Sequence, residues 1–401
     1  MRKILLATTT FIFFFAAYGC KSKQAAQTTS YTIEHIKATS DTLPPIEKEP
    51  EAVEIAVVDL PVEEVVEPVE TFKLPDTIKV VAVGDIMMGT IVPDGFLPPN
   101  KDCSPQLSEV KSVLSSGDIV FGNLEGVLTD SKMGGKRCSN PRVCYTFGMP
   151  TSFVDCFKDA GFNLLSVANN HVGDFGEQGR KSTIETLSKA GIHFAGLANY
   201  CPTTTFTIDS IKYGFCAFAP NTGTVDIRKI TEAQEIVRKL ADECDIVIVS
   251  FHGGAEGAKY QHVTRKTETF LSENRGNVYE FAHKMIDAGA DILLGHGPHV
   301  TRAIEVYKDR FITYSMGNFC TYDRVNIAGV NGLAPIFKIY TDNKGKFLKA
   351  ELVSTYQIKH QPVKIDDNKR VLKVVRDLTN IDFPEMKNVI TIGDDGWILP
   401  K

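Results

Sequence analysis

Five stretches of this chain share one construction: a short apolar run that ends abruptly in a turn of Gly, Asn or Asp. They are Val81–Gly89 (VAVGDIMMG), Asp118–Gly126 (DIVFGNLEG), Leu164–Asp174 (LLSVANNHVGD), Asp245–Glu256 (DIVIVSFHGGAE) and Asp291–Val300 (DILLGHGPHV). An apolar run of this length without polar alternation reads as a parallel strand covered on both faces. Ligand sites of open α/β sheets form beyond the carboxyl ends of such strands. Here those ends carry four of the nine histidines, His171, His252, His296 and His299. The two segments without a histidine supply Asp85, Asn123 and Glu125 instead. Imidazole, carboxylate and amide converging on one crevice suit a divalent metal better than they suit a core.

Helical patterns at Pro105–Ser116, Thr151–Ala160, Gln178–Ala190, Thr231–Glu243 and Asn277–Ala288 alternate with strands, which argues for a layered α/β fold. A hairpin is expected over Phe206–Phe218, turning around Lys212-Tyr213-Gly214. After Val300 the pattern changes to hairpins, Ala303–Val306 with Phe311–Ser315 and Ala334–Thr341 with Phe347–Tyr356, joined by turn-forming sequences. They suggest a second sheet packed on the first. The folded domain is expected over 78–365, with 366–401 as a C-terminal extension packing on it.

The N-terminus reads as an address. Met1-Arg2-Lys3 is basic, and the apolar stretch Ile4–Ala17 is too short to span a bilayer, so residues 1–19 are expected to be a signal peptide. It ends in Ala17-Tyr18-Gly19-Cys20, which resembles a bacterial lipobox with Cys20 as the acylated residue. Residues 20–77 then read as a tether: polar at first, and from Pro44 to Glu70 rich in prolines, valines and acids with the single Lys48. Such a stretch buries too little apolar surface to offset its ordering entropy. The expected location is the cell envelope, held through acyl chains on the periplasmic side of a membrane, since Lys21-Ser22-Lys23-Gln24 follows Cys20 with no acid.

A net charge of −5 with scattered basic residues gives no electrostatic footprint for nucleic acid. Besides Cys20 there are eight cysteines, an even number that suits an oxidising compartment. Cys138 and Cys144, in one polar loop, are the favoured disulfide, with Cys103 competing; Cys156, Cys216 and Cys244 sit in apolar contexts and are expected as buried thiols.

Taken in order, GDIMMG, GNLEG, ANNHVGDFGEQG, FHGGAEG, GHGPHV and YSMGNF resemble the CapA family of poly-γ-glutamate capsule synthesis, over roughly residues 78–360. That family is in turn similar to the calcineurin-like metallophosphoesterases, which implies a metallophosphatase-like layered sandwich. The resemblance implies metal ligands at Asp85, Glu125, Asn170, His252, His296 and His299. It also implies a proton-donating or oxyanion-stabilising role for His171 and a catalytic Glu256, with Asn123, Asn169 and Asn318 touching substrate or supporting the ligands. The implied cofactor is one or more divalent ions (Mn, Zn or Fe). The implied partners are an anionic polymer or the capsule-synthesis machinery, with metal-dependent hydrolysis as the implied chemistry and polymer binding without turnover as its alternative.

Three departures from those patterns carry consequences. Met87 stands where the phosphoesterases place a metal-binding histidine, and methionine is a poor ligand for hard or borderline ions, so the second metal position is in doubt. His296 and His299 are spaced His-x-x-His instead of His-x-His, which leaves open which binds metal and which faces substrate. Gly253 replaces the tryptophan of a His-Trp-Gly-x-Glu pattern and is expected to open the mouth of the site.

Overall fold

The computed structural model describes residues 76–133, 135–136 and 145–401. The expected signal peptide, Cys20, nearly all of the tether, and Cys138 and Cys144 lie outside the described residues. Among the described residues no helix is long and apolar enough to cross a membrane.

The apolar runs do become buried strands. They are β1 (Ile78–Met87), β2 (Ile119–Leu124), β3 (Leu164–Ser166) and β4 (His193–Ala195), followed by the hairpin β5 (Thr203–Ile208) and β6 (Ile211–Phe218), and by β7 (Ile246–His252) and β8 (Ile292–His296). The later strands are β9 (Ile304–Tyr307), β10 (Arg310–Thr313), β11 (Asn318–Thr321), β12 (Leu333–Thr341), β13 (Phe347–Tyr356), β14 (Ile390–Ile392) and β15 (Trp397–Pro400). One sheet runs β14-β15-β13-β12-β1-β2-β3-β4, and β11 also pairs with the end of β1. The other runs β9-β10-β8-β7-β6-β5. In each, the central strands β1-β2-β3-β4 and β6-β7-β8-β10 are parallel.

The two sheets pack face to face. Val80, Ala82 and Phe121 of the first meet Phe215, Ile248 and Leu293 of the second in one apolar cluster, with the Phe121 and Phe215 rings edge to face at 5.8 Å. Helices lie on both outer faces. On the first sheet lie α1 (Lys111–Leu114), α2 (Val154–Asp159) and α3 (Gly176–Ala190), which bury Leu114, Phe157 and Leu187 against Val81, Val120 and Leu165. On the second lie α4 (Ile230–Glu243) and α5 (Val278–Asp287); α4 buries Ala233, Val237 and Leu240, a spacing that keeps one face turned to the sheet. The last helix, α6 (Arg370–Asp382), packs Val371, Leu372 and Val375 into the central cluster, and β15 adds to the first sheet beside β13.

The hairpins beyond Val300 divide between the sheets. β9 and β10 extend the second, whereas β12 and β13 return to the first, because β12 pairs antiparallel with β1 from Ile78↔Thr341 to Ala82↔Phe337. The β5–β6 turn falls at Asp209-Ser210, both at positive φ, and not at Lys212–Gly214. Gly214 lies within β6, where a Cβ would approach Cys244 Sγ to 3.1 Å and Leu240 Cβ to 3.2 Å; it serves close helix packing, not the turn. The expected helix over Pro105–Ser116 is two short pieces, a 3-10 turn at Ser104–Leu107 and then α1. Between them Ser108 donates its hydroxyl to the carbonyl of Pro105 at 2.9 Å.

Cysteine pairing also differs from expectation. Cys156 is no free thiol; it is disulfide-bonded to Cys103, tying α2 to the segment before α1. The apolar context that suggested a buried thiol is the helix-to-helix seam the disulfide crosses. Cys216 is a buried free thiol as expected, and Cys244 is free but only half-buried.

Candidate metal centre

Backbone geometry delivers each polar side chain to the rim between the sheets. At Gly84 the pairing register of β1 on β2 breaks, and a Cβ there would fall 1.9 Å from the carbonyl oxygen of Gly317. Only glycine permits that approach, and it turns Asp85 towards the crevice, its amide bonded to the Gly317 carbonyl at 2.9 Å. From the second sheet, β7 and β8 end in register at His252↔His296. Gly297, at φ 111°, has its Cα side against the backbone of Gly253, where a Cβ would come within 2.7 Å. That turn presents His299, itself at φ 56°.

Asp85 is the hub. Its Oδ1 accepts from Asn123 Nδ2 at 2.8 Å and meets His296 Nδ1 at 3.2 Å, while its Oδ2 meets His299 Nδ1 at 3.0 Å. Burial opposes its charge, but the hydrogen bonds and positive field of His296 and His299 hold its carboxyl well below the usual range. Glu125 behaves oppositely. Its burial, reinforced by Asp85 and Glu256 and only partly relieved by His299, pushes its carboxyl well above the usual range. One cavity thus forces two acidic groups together, with His299 between them, its Nε2 3.4 Å from Glu125 Oε1. Burial works against protonating His299, yet Glu125 and Asp85 more than offset it and push the imidazole up to about 10.

Asp85, Glu125 and His252 each offer a ligand atom within 4.8 Å of the others. Around them lie buried polar atoms that have no hydrogen-bond partner among the described residues: both ring nitrogens of His252, Nε2 of His296, Oε1 of Glu125 and Oδ1 of Asn170. Each such atom costs about 1–3 kcal/mol if left unmade. Burial also drives the His252 imidazole well below its usual range, so it is neutral with a lone pair to give. A mixed set of neutral imidazole, carboxylate and amide oxygen fits a borderline divalent cation. His296 is fully sealed with a free Nε2, whereas His299 faces the cavity, 21% exposed, with both nitrogens turned to carboxylates.

The remaining candidates surround this cluster. Asn123 is buried between Asp85 and Glu125, and Asn169 behind it donates to Asn123 Oδ1 at 3.2 Å and to the Leu124 carbonyl at 2.8 Å. Asn169 Oδ1 accepts from the His171 amide at 3.0 Å. Asn318 donates to the carbonyls of His299 and Asn331, both at 3.1 Å, which fixes its amide and leaves Oδ1 unpartnered at the cavity wall. Glu256 also lines the cavity but is held by Arg275 at 2.8 Å. Gly253 does not open the mouth: it is buried, and a Cβ there would meet Ile227 at 2.9 Å and the Arg275 carbonyl at 3.0 Å. No space for a tryptophan ring exists at that position.

Further groups complete the site. Asp174 Oδ2 holds His171 Nδ1 at 2.7 Å and accepts from the Phe147 amide at 2.7 Å, while its Oδ1 pairs with Lys136 at 2.6 Å. The Phe147 ring covers the imidazole at 4.1 Å. Burial outweighs Asp174 and lowers the His171 imidazole, so the ring is neutral with Nδ1–H given to the carboxylate. A cavity of about 640 Å³ opens beside the cluster, lined also by Met87, Lys136, Arg275 and Phe270. The i, i+3 spacing of His171 and Asp174 is a signal the sequence offers; Arg275 and Lys136 give none, being brought in by loops.

A family profile described as bacterial capsule synthesis protein PGA_cap matches residues 79–323. The "Capsule biosynthesis protein CapA" of Bacillus anthracis is 31% identical over 261 residues, covering 59% of this chain and 58% of that protein. The "PGA biosynthesis protein CapA" of Bacillus subtilis (strain 168) is 27% identical over 326 residues, covering 76% and 78%. Among solved structures, a phosphatase from Mycoplasma pneumoniae aligns over 75% of this chain and 98% of its own, at 16% identity and a TM-score of 0.44.

Proposed function

The chain belongs to the bacterial capsule synthesis family PGA_cap, and from that membership we propose that it works in the cell envelope on a capsule-type or poly-γ-glutamate polymer, through a divalent metal held in the crevice. The observation that carries this reading is the unpartnered set of His252, His296 Nε2, Glu125 Oε1 and Asn170 Oδ1 around Asp85. Asp85, Glu125, Asn170, His252 and His296 hold the ion, and His299 stands on its cavity side. A bound cation would supply Lewis-acid polarisation of an ester or amide oxygen. His171, kept neutral by burial and fixed by Asp174, presents Nε2 to the cavity as the group that exchanges a proton with a leaving or attacking oxygen. Lys136, paired with Asp174, and Arg275, paired with Glu256 and Glu273, line the same space, and their N–H groups orient an anionic chain there. Glu256 is a positioning partner of Arg275 in this reading.

Met87 at the cavity wall supports a second reading, a polymer-binding crevice without turnover, because a thioether is a weak second-metal ligand. We place the domain on the periplasmic side of a membrane, tethered through Cys20. The Cys103–Cys156 disulfide supports an oxidising compartment. The test is elemental analysis of protein purified without added metal, with Asp85→Asn beside it, coupled to a screen of phosphoester and γ-glutamyl substrates. Bound metal lost in Asp85→Asn, with turnover in the parent, supports the hydrolase; metal without turnover supports the binder. Absence of metal from the parent protein removes both.

A further inference from the structure

Among the described residues, helices do not cover the first sheet across its whole width. Under α1–α3 its outer face carries Val81, Val120 and Leu165, all sealed. Towards the β12-β13-β15 side the same face carries Lys338 and Tyr340 on β12, Lys349 and Glu351 on β13 and Trp397 on β15, with Lys79 on β1. All six are half-buried, while their inward neighbours Val80, Ile339, Ala350 and Ile398 are sealed. Cross-strand pairing places them in a row: Lys79 opposite Tyr340, Tyr340 opposite Lys349, and Glu351 opposite Trp397.

The row alternates cation and ring. Lys79 lies over Tyr340 at 5.8 Å, and Lys349 lies over Tyr340 at 5.0 Å and over Trp397 at 4.7 Å. Lys338 is paired with Glu351 at 3.0 Å, and Asp118 accepts from the Lys79 backbone amide at 2.8 Å. Among the described residues neither the Lys79 nor the Lys349 ammonium has a carboxylate partner. The chain as a whole is acidic, at −5, whereas the outward side chains of this row number three lysines and one glutamate, with Asp118 and Asp395 at its two ends. The two unpaired lysines stand two strands apart, about 10 Å, and the rings hold them upright, which lowers the entropy lost when they meet an anion.

We propose that this row is a docking strip for an extended polycarboxylate chain, separate from the metal crevice and contacted through Lys79 and Lys349. Carboxylates repeated along a polymer meet both ammoniums, while Tyr340 and Trp397 pack against its methylene backbone. A site of this kind retains a long polymer while another part of it occupies the crevice. That the polymer is of the poly-γ-glutamate type rests on the function proposed above; the strip itself rests on the row's geometry and charge.

The chain has a single tryptophan, and it stands in this row, so its fluorescence reports on the strip. Full-length protein is titrated with poly-γ-glutamate and with dextran as a neutral polymer, with and without chelator. The expected result is a saturable change in tryptophan emission with poly-γ-glutamate alone, unaltered by chelator and by Asp85→Asn, and weakened by salt. Lys79→Glu with Lys349→Glu should raise the apparent Kd about tenfold or more, the combined scale of two surface charge contacts reversed. Lys79→Gln with Lys349→Gln, which keeps the surface polar, should weaken it to a smaller degree; circular dichroism checks that both variants fold. No saturable change overturns the proposal, as does binding that survives both charge reversals. Loss of the signal on chelation transfers the polymer to the crevice and also overturns it. A parent dimer that the charge reversals dissociate would assign the face to a second copy of this chain instead. Loss of metal in Asp85→Asn bears on the crevice alone and leaves this readout standing.

Discussion

Replacing His252 with leucine should stabilise the chelated protein and shrink the further stabilisation that metal gives. His252 is buried at the end of β7, and neither ring nitrogen has a hydrogen-bond partner among the described residues. A neutral imidazole carries one donor and one acceptor, and each buried polar atom left unpaired costs about 1–3 kcal/mol. Leucine has similar volume and no polar atom. Net of imperfect packing, chelated His252→Leu should therefore be about 2 kcal/mol more stable than the chelated parent. In metal the increment favours the parent and brings the two proteins to about the same stability. At a free concentration a hundred times Kd the parent gains about 2.7 kcal/mol. A variant bound about a hundredfold more weakly gains about 0.4 kcal/mol under the same conditions. Urea unfolding of both proteins, in chelator and in buffered Zn²⁺ or Mn²⁺, measures the two numbers. A chelated variant less stable than the parent, or an undiminished metal increment, would refute the assignment of His252 as a ligand.

Other consequences come from particular contacts. Arg302 is fully buried, its guanidinium bidentate to Glu268 at 2.9 and 2.7 Å and bonded to the carbonyls of Ala255 and Tyr260. Glu268→Gln should cost about 3–5 kcal/mol in urea unfolding, the scale of breaking a buried pair, and should loosen the loop carrying Glu256. Cys103→Ser with Cys156→Ser opens a loop with a sequence separation of 53 and should cost about 4 kcal/mol by chain entropy, read as a lower urea midpoint. Asp291 is buried, and although the Val247 amide and Arg310 oppose the effect, its carboxyl is raised to about 6. A raised acid binds more protons folded than unfolded, so its contribution is full below about 4 and is lost as pH rises through about 6, roughly 3 kcal/mol in all. Asp291→Asn should remove that slope, measured by urea unfolding at pH 4, 5 and 6.5. His171→Gln should keep bound metal, by elemental analysis, and lower any turnover by roughly 10²-fold, the usual scale of general acid catalysis.

Much of the site was legible because its residues sit at strand ends. Asp85, Glu125, His252 and His296 each come at the end of a run of apolar residues, and a buried strand delivers its terminal side chains in one direction only. Helices with a clean amphipathic stripe, such as α4, were legible for the same reason of period. The loops were not. Arg275 enters the cavity from a segment folded back by the Glu268 and Gly276 backbone pairing, and Lys136 arrives beside Asp174 through a polar stretch without any period. Gly214 and Gly253 misled in one way. A glycine signals either a turn or a close approach, and only the neighbours, Leu240 and Cys244 for one and Ile227 and the Arg275 carbonyl for the other, decide which.

The sequence by itself determined the class of fold, the order of the strands that carry chemistry and the identity of the groups at their ends, since burial of apolar runs and backbone direction are local constraints. Tertiary structure alone decided how those groups meet. It returned β12 and β13 to the first sheet and joined Cys156 to Cys103 across the seam between helices. It gave Asp174 to His171 and sealed His296 while leaving His299 at the cavity. Each of these is a contact between segments far apart in the chain or across a turn, set by sheet register and the packing of two layers. No periodicity within one segment encodes the distance to another.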